Sequence, residues 1–280
     1  MKLSIKSLYI VSTPIGNLDD ITIRAIDVLK NSDIILCEDT RRSLKLLNHL
    51  KIKKKLISYH KFNEKKKLET IIEYLNQGKI LSLISDAGTP LLSDPGRLLI
   101  QSCISKKIKI IPIPGASSVT AAISVSGFKD QFLFYGFLPK TEKELEKTLS
   151  SLCLNNFSQI FFIPAKKINF YLAKFKKFYS GRKLLIAKEI TKIHETFFIE
   201  DIDQINMFKI PIKGELTVVI SEKNIKNKVL NENKIIKKAK LYLKKYSLKD
   251  VVDLIFEQEK TNRKKIYQIC LNLKKNEKIN

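Results

Sequence analysis

At 280 residues, 44% of them hydrophobic, the chain carries enough apolar side chains for a sizeable core, which excludes a disordered protein. The formal net charge of +24, from 52 Lys and Arg against 28 Asp and Glu, favours an anionic partner such as nucleic acid or a membrane surface, although codon drift in an AT-rich genome would raise Lys, Ile and Asn as well. No apolar run approaches the roughly 20 residues of a membrane span, and Cys37, Cys103, Cys153 and Cys270 lack the spacing of a metal site or a disulfide framework, so a reduced, soluble, cytoplasmic protein with no metal is expected.

The first apolar run, at residues 8–11, is too short for a secretory signal and enters a Pro-Ile-Gly turn. "SLYIVSTP", "DIILCED", "KLISYH", "KILSLISD" and "KIKIIPIPG" follow one another as strand-length segments. Helical patterns separate them, most clearly Leu68, Ile71, Ile72 and Leu75, closed by Gly78. Strands alternating with helices predict a mostly parallel α/β sheet, in which ligands sit beyond the carboxyl ends of the strands.

Turn chemistry concentrates at those ends. Thr13-Pro14-Ile15-Gly16-Asn17, Glu38-Asp39-Thr40-Arg41, Asp86-Ala87-Gly88-Thr89-Pro90 and Pro112-Ile113-Pro114-Gly115-Ala116-Ser117-Ser118 should converge on one rim. The third belongs to "SLISDAGTPLLSDPG", which holds two Asp-to-Gly turns, each with a Pro. Any one loop alone is an ordinary capped connection; four together suggest a site. No dinucleotide fingerprint and no phosphate loop occurs, so a ligand held by backbone and small polar groups fits better.

These residues resemble a known family. "LYIVSTPIGNLDDITIRAI", "EDTRRS", "LISDAGTPLLSDPG", "IPIPGASSVTAAIS" and "FYGFLPK" are similar to ribosomal RNA small-subunit methyltransferase I, in the tetrapyrrole methylase superfamily. The likeness is specific over residues 8–140 and weaker through "LLIAKEITKIHETF", "KGELTVVI" and the C-terminal segments. It implies two α/β domains with S-adenosylmethionine in the cleft between them, a homodimer, and 2'-O-methylation of a cytidine ribose in the decoding region of small-subunit rRNA. The cofactor contacts it implies map to Ile15, Gly16, Asp86, Gly88, Thr89, Ser117 and Ser118.

The expected division is an N-terminal α/β domain over 1–125, a second over 126–222 and a basic helical region over 223–280. "QIFFIPA", "LLIAKE", "ETFFIE" and "ELTVVI" read as strands of the second domain. Where the family typically carries Glu, Ser, Pro or Thr, His and Arg, this chain has Ile163, Pro164, Ala165, Lys166 and Lys167, leaving RNA contact through Lys166 and Lys167 as the expected role. Residues 223–280 hold 16 Lys and 1 Arg against 6 acidic residues. There, Ser247-Leu248-Lys249-Asp250 opens a helix as a capping box, and Thr261 can cap the next, in a helix-turn-helix-like arrangement that is either an RNA-binding surface or a solvated bundle.

A ribose hydroxyl is a poor nucleophile, so a base is sought. Asp39 is preferred, with His60, Glu38 and Glu189 as alternatives; Arg41 and Arg42 suit acceptor phosphates. The plain structural roles of the four are a helix N-cap, a surface histidine, a partner for Arg41 and a domain-interface ion pair. Two rival functions stand beside the first: a tetrapyrrole- or diphthine-type small-molecule methylase, and a non-catalytic ribosome-binding module.

Overall fold

A computed structural model describes residues 3–209, 214–223, 232–259 and 263–276. The chain forms two compact units, Met1–Lys223 and Asn224–Asn280. The first unit begins with β1 (Ser7–Val11), α1 (Ile23–Asn31), β2 (Ile34–Cys37), α2 (Thr40–His49), β3 (Lys55–Ser58), α3 (Glu64–Asn76), β4 (Ile80–Leu83), α4 (Arg97–Ser105), β5 (Lys109–Ile113) and α5 (Ser118–Ser124). These five strands make one parallel sheet in the order β3-β2-β4-β1-β5.

The central strands β1 and β2 are buried along their whole length, as expected where helices cover both faces. Alternate residues feed opposite layers: Leu8, Ile10, Leu36 and Leu81 meet α3 and α4, while Tyr9, Val11, Ile35 and Cys37 meet α1 and α2. Pro112, which has no N–H to give a second neighbour, lies in the edge strand β5. All five strands expected from the sequence in this half are present.

The unit continues with β6 (Phe132–Phe137), α6 (Glu142–Leu152), β7 (Ser158–Pro164), α7 (Ile168–Phe178), β8 (Lys183–Lys188), β9 (Thr196–Asp201) and β10 (Glu215–Ile220). Their order is β6-β7-β10-β8-β9, with only the β6–β7 pair parallel. The sequence predicts four of these strands and omits β6. That edge strand has a half-exposed face and a register shift at Gly136, so it lacks the buried apolar run that marks β7, β8 and β10.

One face of this sheet packs on α6 and α7 through Phe161, Ile163, Leu172, Phe175 and Leu216. Ile163 is fully buried there, so its apolar side chain packs in the core and not toward a reacting group. The opposite face takes Val119 and Ala122 of α5 against Ile160, Leu185 and Val219. The last helix of the first half therefore covers the second sheet, bringing that face to the carboxyl ends of the parallel strands.

The second unit contains α8 (Glu232–Tyr242), α9 (Leu248–Glu259) and α10 (Arg263–Asn276), joined by Ile235, Ala239, Val251, Ile255, Ile266 and Cys270. Ser247 caps the helix as the sequence predicts, Asp250 N donating to Ser247 Oγ at 3.3 Å, but the Asp250 carboxylate accepts from that hydroxyl at 2.6 Å, where a full capping box would have it accept from the Ser247 N–H. Thr261 and the Pro211-Ile212-Lys213 approach to β10 lie outside the described residues.

Candidate active site

Loops from the ends of β1, β2, β4 and β5 are stitched into one rim. Thr13 and Gly88 exchange backbone hydrogen bonds of 2.9 and 3.0 Å. The Thr89 hydroxyl lies 3.0 Å from Ser12 Oγ and donates to Ala116 O at 3.2 Å, joining three of the four loops. Asp86 brings in the fourth, accepting from Asp39 N at 3.1 Å and pairing with Arg42 at 3.2 Å. Gly88 has φ +78°, and a Cβ there would come within 3.2 Å of Ile15, so both the backbone and the close approach require glycine.

The rim and the adjoining face of the second sheet bound a cavity of about 590 Å³, within the roughly 300–1,000 Å³ of small-molecule sites. Its wall carries the carboxylates of Glu38, Asp86, Asp94, Glu189 and Glu215 and the hydroxyls of Thr89, Ser117 and Ser118. Ile15, Val119, Phe137 and Phe162 supply apolar surface, and Arg42 and Lys192 are its cations. Ser117 opens α5 without making a side-chain cap bond, so its hydroxyl is not consumed by the helix.

The carboxylates differ in their environments. Burial, reinforced by the charges of Glu38 and Asp86, pushes Asp94 from 3.8 up to about 6. Burial also raises Glu38, with Asp86 adding to it. Asp39 goes the other way: hydrogen bonds from the Arg41 side chain and backbone hold it at about 2.

Several sequence-predicted residues come together here and others do not. Ile15, Asp86, Gly88, Thr89, Ser117, Ser118, Arg42, Glu38 and Glu189 line the cavity. Asp39 does not; it caps α2, accepting from Arg41 N at 2.9 Å, and forms a 2.7 Å ion pair with the Arg41 guanidinium, the plain structural role. Its partner Arg41 is exposed and turned to Asp39, so Glu38 is not the group that Arg41 holds. Gly16 is also off the wall. A Cβ at Gly16 would meet Lys192 Cγ at 2.6 Å and Thr191 Oγ1 at 2.7 Å, so this glycine permits the first loop to pass against the turn after β8.

His60 does not line the cavity; its Nε2 is 3.0 Å from Asn63 Nδ2. Glu189 does reach the cavity; its ion pair, 3.0 Å from Lys192 Nζ, lies within the single turn that touches Gly16 and does not cross between the two expected domains. Lys166 and Lys167 are exposed after β7 and do not line the cavity. Sequence reasoning missed Asp94 and Glu215. A signal for Asp94 existed, because its Asp-Pro-Gly turn repeats the chemistry of the Asp86 loop eight residues earlier. Glu215 opens a strand of the other sheet and had none.

Residues 7–206 match the family of tetrapyrrole (corrin/porphyrin) methylases. Curated relatives named ribosomal RNA small subunit methyltransferase I include the Mesomycoplasma conjunctivae protein, 45% identical over 238 residues, covering 84% of this chain and 96% of the relative. The Rickettsia prowazekii protein is 41% identical over 268 residues, covering 94% of this chain and 95% of its own length. The chain belongs to the ribosomal RNA small subunit methyltransferase I family.

Solved structures of more distant tetrapyrrole methylases share the fold of this family. The methyltransferase CobJ matches with a TM-score of 0.59 at 16% identity, over 77% of this chain and 93% of CobJ. Uroporphyrin-III C-methyltransferase from Thermus thermophilus, complexed with S-adenyl homocysteine, matches with a TM-score of 0.55 at 12% identity, over 77% and 97% of the two chains. As a member of the family the chain is an S-adenosylmethionine-dependent methyltransferase. The wall chemistry fits that cofactor: its carboxylates would suit a sulfonium and an ammonium, its hydroxyls and backbone groups would suit an adenosine, and no phosphate-loop motif occurs in the sequence. Among the described residues no helix is long and apolar enough to cross a membrane.

Proposed function

We propose that this enzyme methylates the ribose 2'-oxygen of a cytidine in the decoding region of small-subunit rRNA, met as free rRNA or in the assembled subunit, and that it works in the cytoplasm as a homodimer. The names of its relatives support the RNA class. The observation that carries the reading is one cavity with partly buried carboxylates inside and the Arg42 guanidinium, 68% exposed, in its wall, with Arg41, 86% exposed, at the adjacent position of α2. Such groups suit acceptor phosphates and would repel a sulfonium.

S-adenosylmethionine, when bound, supplies an electrophilic methyl group on a sulfonium. Asp86, Thr89, Ser117 and Ser118, with the Gly88 backbone, would hold its polar groups, and Ile15 and Val119 its apolar surface. Arg41 and Arg42 anchor the acceptor strand, with Lys166 and Lys167 as further phosphate contacts. Holding two reactants in line contributes about 7–11 kcal/mol in favourable cases. Asp94 then replaces Asp39 as the preferred proton acceptor for the ribose hydroxyl. It lines the cavity and titrates near 6, whereas Asp39 is bound to Arg41 and is a weak base. Glu38, raised in the same wall, stands next to it in preference. Residues 1–125 and 126–222 act as the two lobes of this cleft, and the basic region beyond them adds RNA affinity.

The test is methyl transfer to small subunits and to rRNA from a strain lacking the enzyme, with nucleosides identified by mass spectrometry after digestion. One 2'-O-methylcytidine per rRNA is expected. Transfer to a base atom, or transfer to a small molecule with none to rRNA, would overturn the proposal.

A further inference from the structure

The loop that follows β3, residues 60–63, lies outside the cavity but is tied to its wall. Tyr59 N donates to Cys37 O at 2.7 Å and Ser58 Oγ to Glu38 O at 3.4 Å, so the end of β3 is bonded to the segment carrying Glu38. The loop is closed on itself: His60 N donates to Asn63 Oδ1 at 2.9 Å, and Asn63 Nδ2 donates to Ser58 O at 3.2 Å. Lys67 Nζ reaches the same carbonyl at 2.8 Å, and Glu64 accepts from Gly96 N at 3.3 Å, fixing the start of α3 beside it.

This hydrogen-bonded loop presents one aromatic side chain to water. Phe62 is 95% exposed, whereas the next most exposed aromatic ring among the described residues, Tyr246, is at 52%. Its ring stands edge-on to His60, with centroids 6.1 Å apart at 63°. Lys61, Lys65 and Lys66, all exposed, flank it, and none makes an ion pair among the described residues. An isolated ring among cations lacks the contiguous apolar area of a protein-docking patch. It matches the pairing of stacking surface and positive charge that holds unpaired nucleotides.

We infer that Phe62 is a stacking platform for an unpaired nucleobase flanking the acceptor nucleotide, with Lys61, Lys65 and Lys66 contacting the phosphates beside it. The inference rests on the RNA reading above. Because every base has a π-face, this contact tolerates sequence and adds affinity and position without selecting the target. The hydrogen bonds that close the loop fix the backbone that carries the ring, so less of the chain has to be ordered when RNA binds. The loop that carries the platform follows β3, whose end is hydrogen-bonded to the Cys37–Glu38 segment of the cavity wall, so a stacked base would tie the RNA strand to the element beside Glu38.

Full-length Phe62→Ala, Phe62→Ile and Phe62→Tyr proteins test this by titration with rRNA and with small subunits from a strain lacking the enzyme. Calorimetric titration of S-adenosylmethionine serves as the control. Stacking on one ring corresponds to roughly a 5- to 150-fold change in affinity. The Ala and Ile proteins should therefore weaken RNA or subunit binding within that range, Tyr should stay within about 2-fold, and cofactor affinity should not change. Parental binding by the Ile protein overturns stacking in favour of a plain apolar contact, and parental binding by the Ala protein overturns any contact. A photoreactive benzoylphenylalanine at this position should crosslink to an rRNA nucleotide. A crosslink to a ribosomal protein instead overturns the proposal. If the parent binds neither RNA nor subunits, the failure lies with the RNA reading itself, whereas a parent that binds with unaffected variants fails only the platform.

Discussion

Replacing Asp94 by Asn should slow the enzyme and stabilise it in the same step. The side chain lines the cavity, and burial with the neighbouring Glu38 and Asp86 charges lifts it from 3.8 to about 6. A folded pKa above the unfolded one means that the folded protein binds this proton more tightly. The ionised form therefore costs stability, a cost absent below about pH 4 and complete above about pH 6. At about 1.36 kcal/mol per pH unit, a rise of this size has a ceiling near 3 kcal/mol, which solvent screening of a partly exposed carboxylate cuts to about 1–2 kcal/mol. Asn removes that cost, so at pH 8 the variant should melt about 2–8 °C higher than the parent, with the gap closing as the pH falls toward 4.

The catalytic side runs in the opposite direction. Loss of a general base lowers rates by about 10²–10⁴, so single-turnover methyl transfer at pH 8 should fall within that range while cofactor affinity holds. The parent's rate should drop about tenfold per pH unit below pH 6, and the variant should lose that limb. Calorimetry and a single-turnover assay across pH 5–8 measure both. Parental rate with a parental pH profile would refute Asp94 as proton acceptor. An unchanged melting temperature at pH 8 would refute the burial cost from which the argument starts.

Asp86→Ala should weaken S-adenosylmethionine binding in calorimetric titration; Thr89→Val should weaken it too and, by losing the links to Ser12 and Ala116, also lower stability by about 1–3 kcal/mol. Arg41→Ala and Arg42→Ala should raise the KM for RNA more than they change kcat, with cofactor affinity retained, as read by steady-state kinetics. Ending the chain before residue 224 should reduce rRNA affinity and flatten its salt dependence in filter binding, with cofactor titration unaltered. Gly16→Ala should destabilise by about 1–3 kcal/mol in chemical denaturation, because its Cβ would enter the turn at residues 190–192.

What the sequence by itself determined is what depends on neighbours along the chain. Apolar runs ending in Gly, Pro and Asp marked β1 to β5 and the loops beyond them, since a parallel strand buried on both faces and a tight turn each impose their residues locally. Ser247 and Asp250 announced their helix for the same reason, the bonded atoms being three residues apart. The rim itself was legible because all strands of a parallel sheet end on the same side.

Only the tertiary structure decided which groups face the cavity. Glu38 and Asp39 are adjacent, and no pattern tells that the first lines the wall while the second turns to Arg41. The rise at Asp94 comes from burial and from Glu38, which is far away in sequence. The resemblance placed Gly16 among the cofactor contacts, and only the fold shows that this glycine passes against residues 190–192, because a glycine that lets a ligand approach and one that lets a loop approach leave the same mark in a sequence. Strand β6 and the seating of α5 on the second sheet depend on partners supplied by other elements. Charges and close contacts act through space, and the chain order of their partners is set only by the fold.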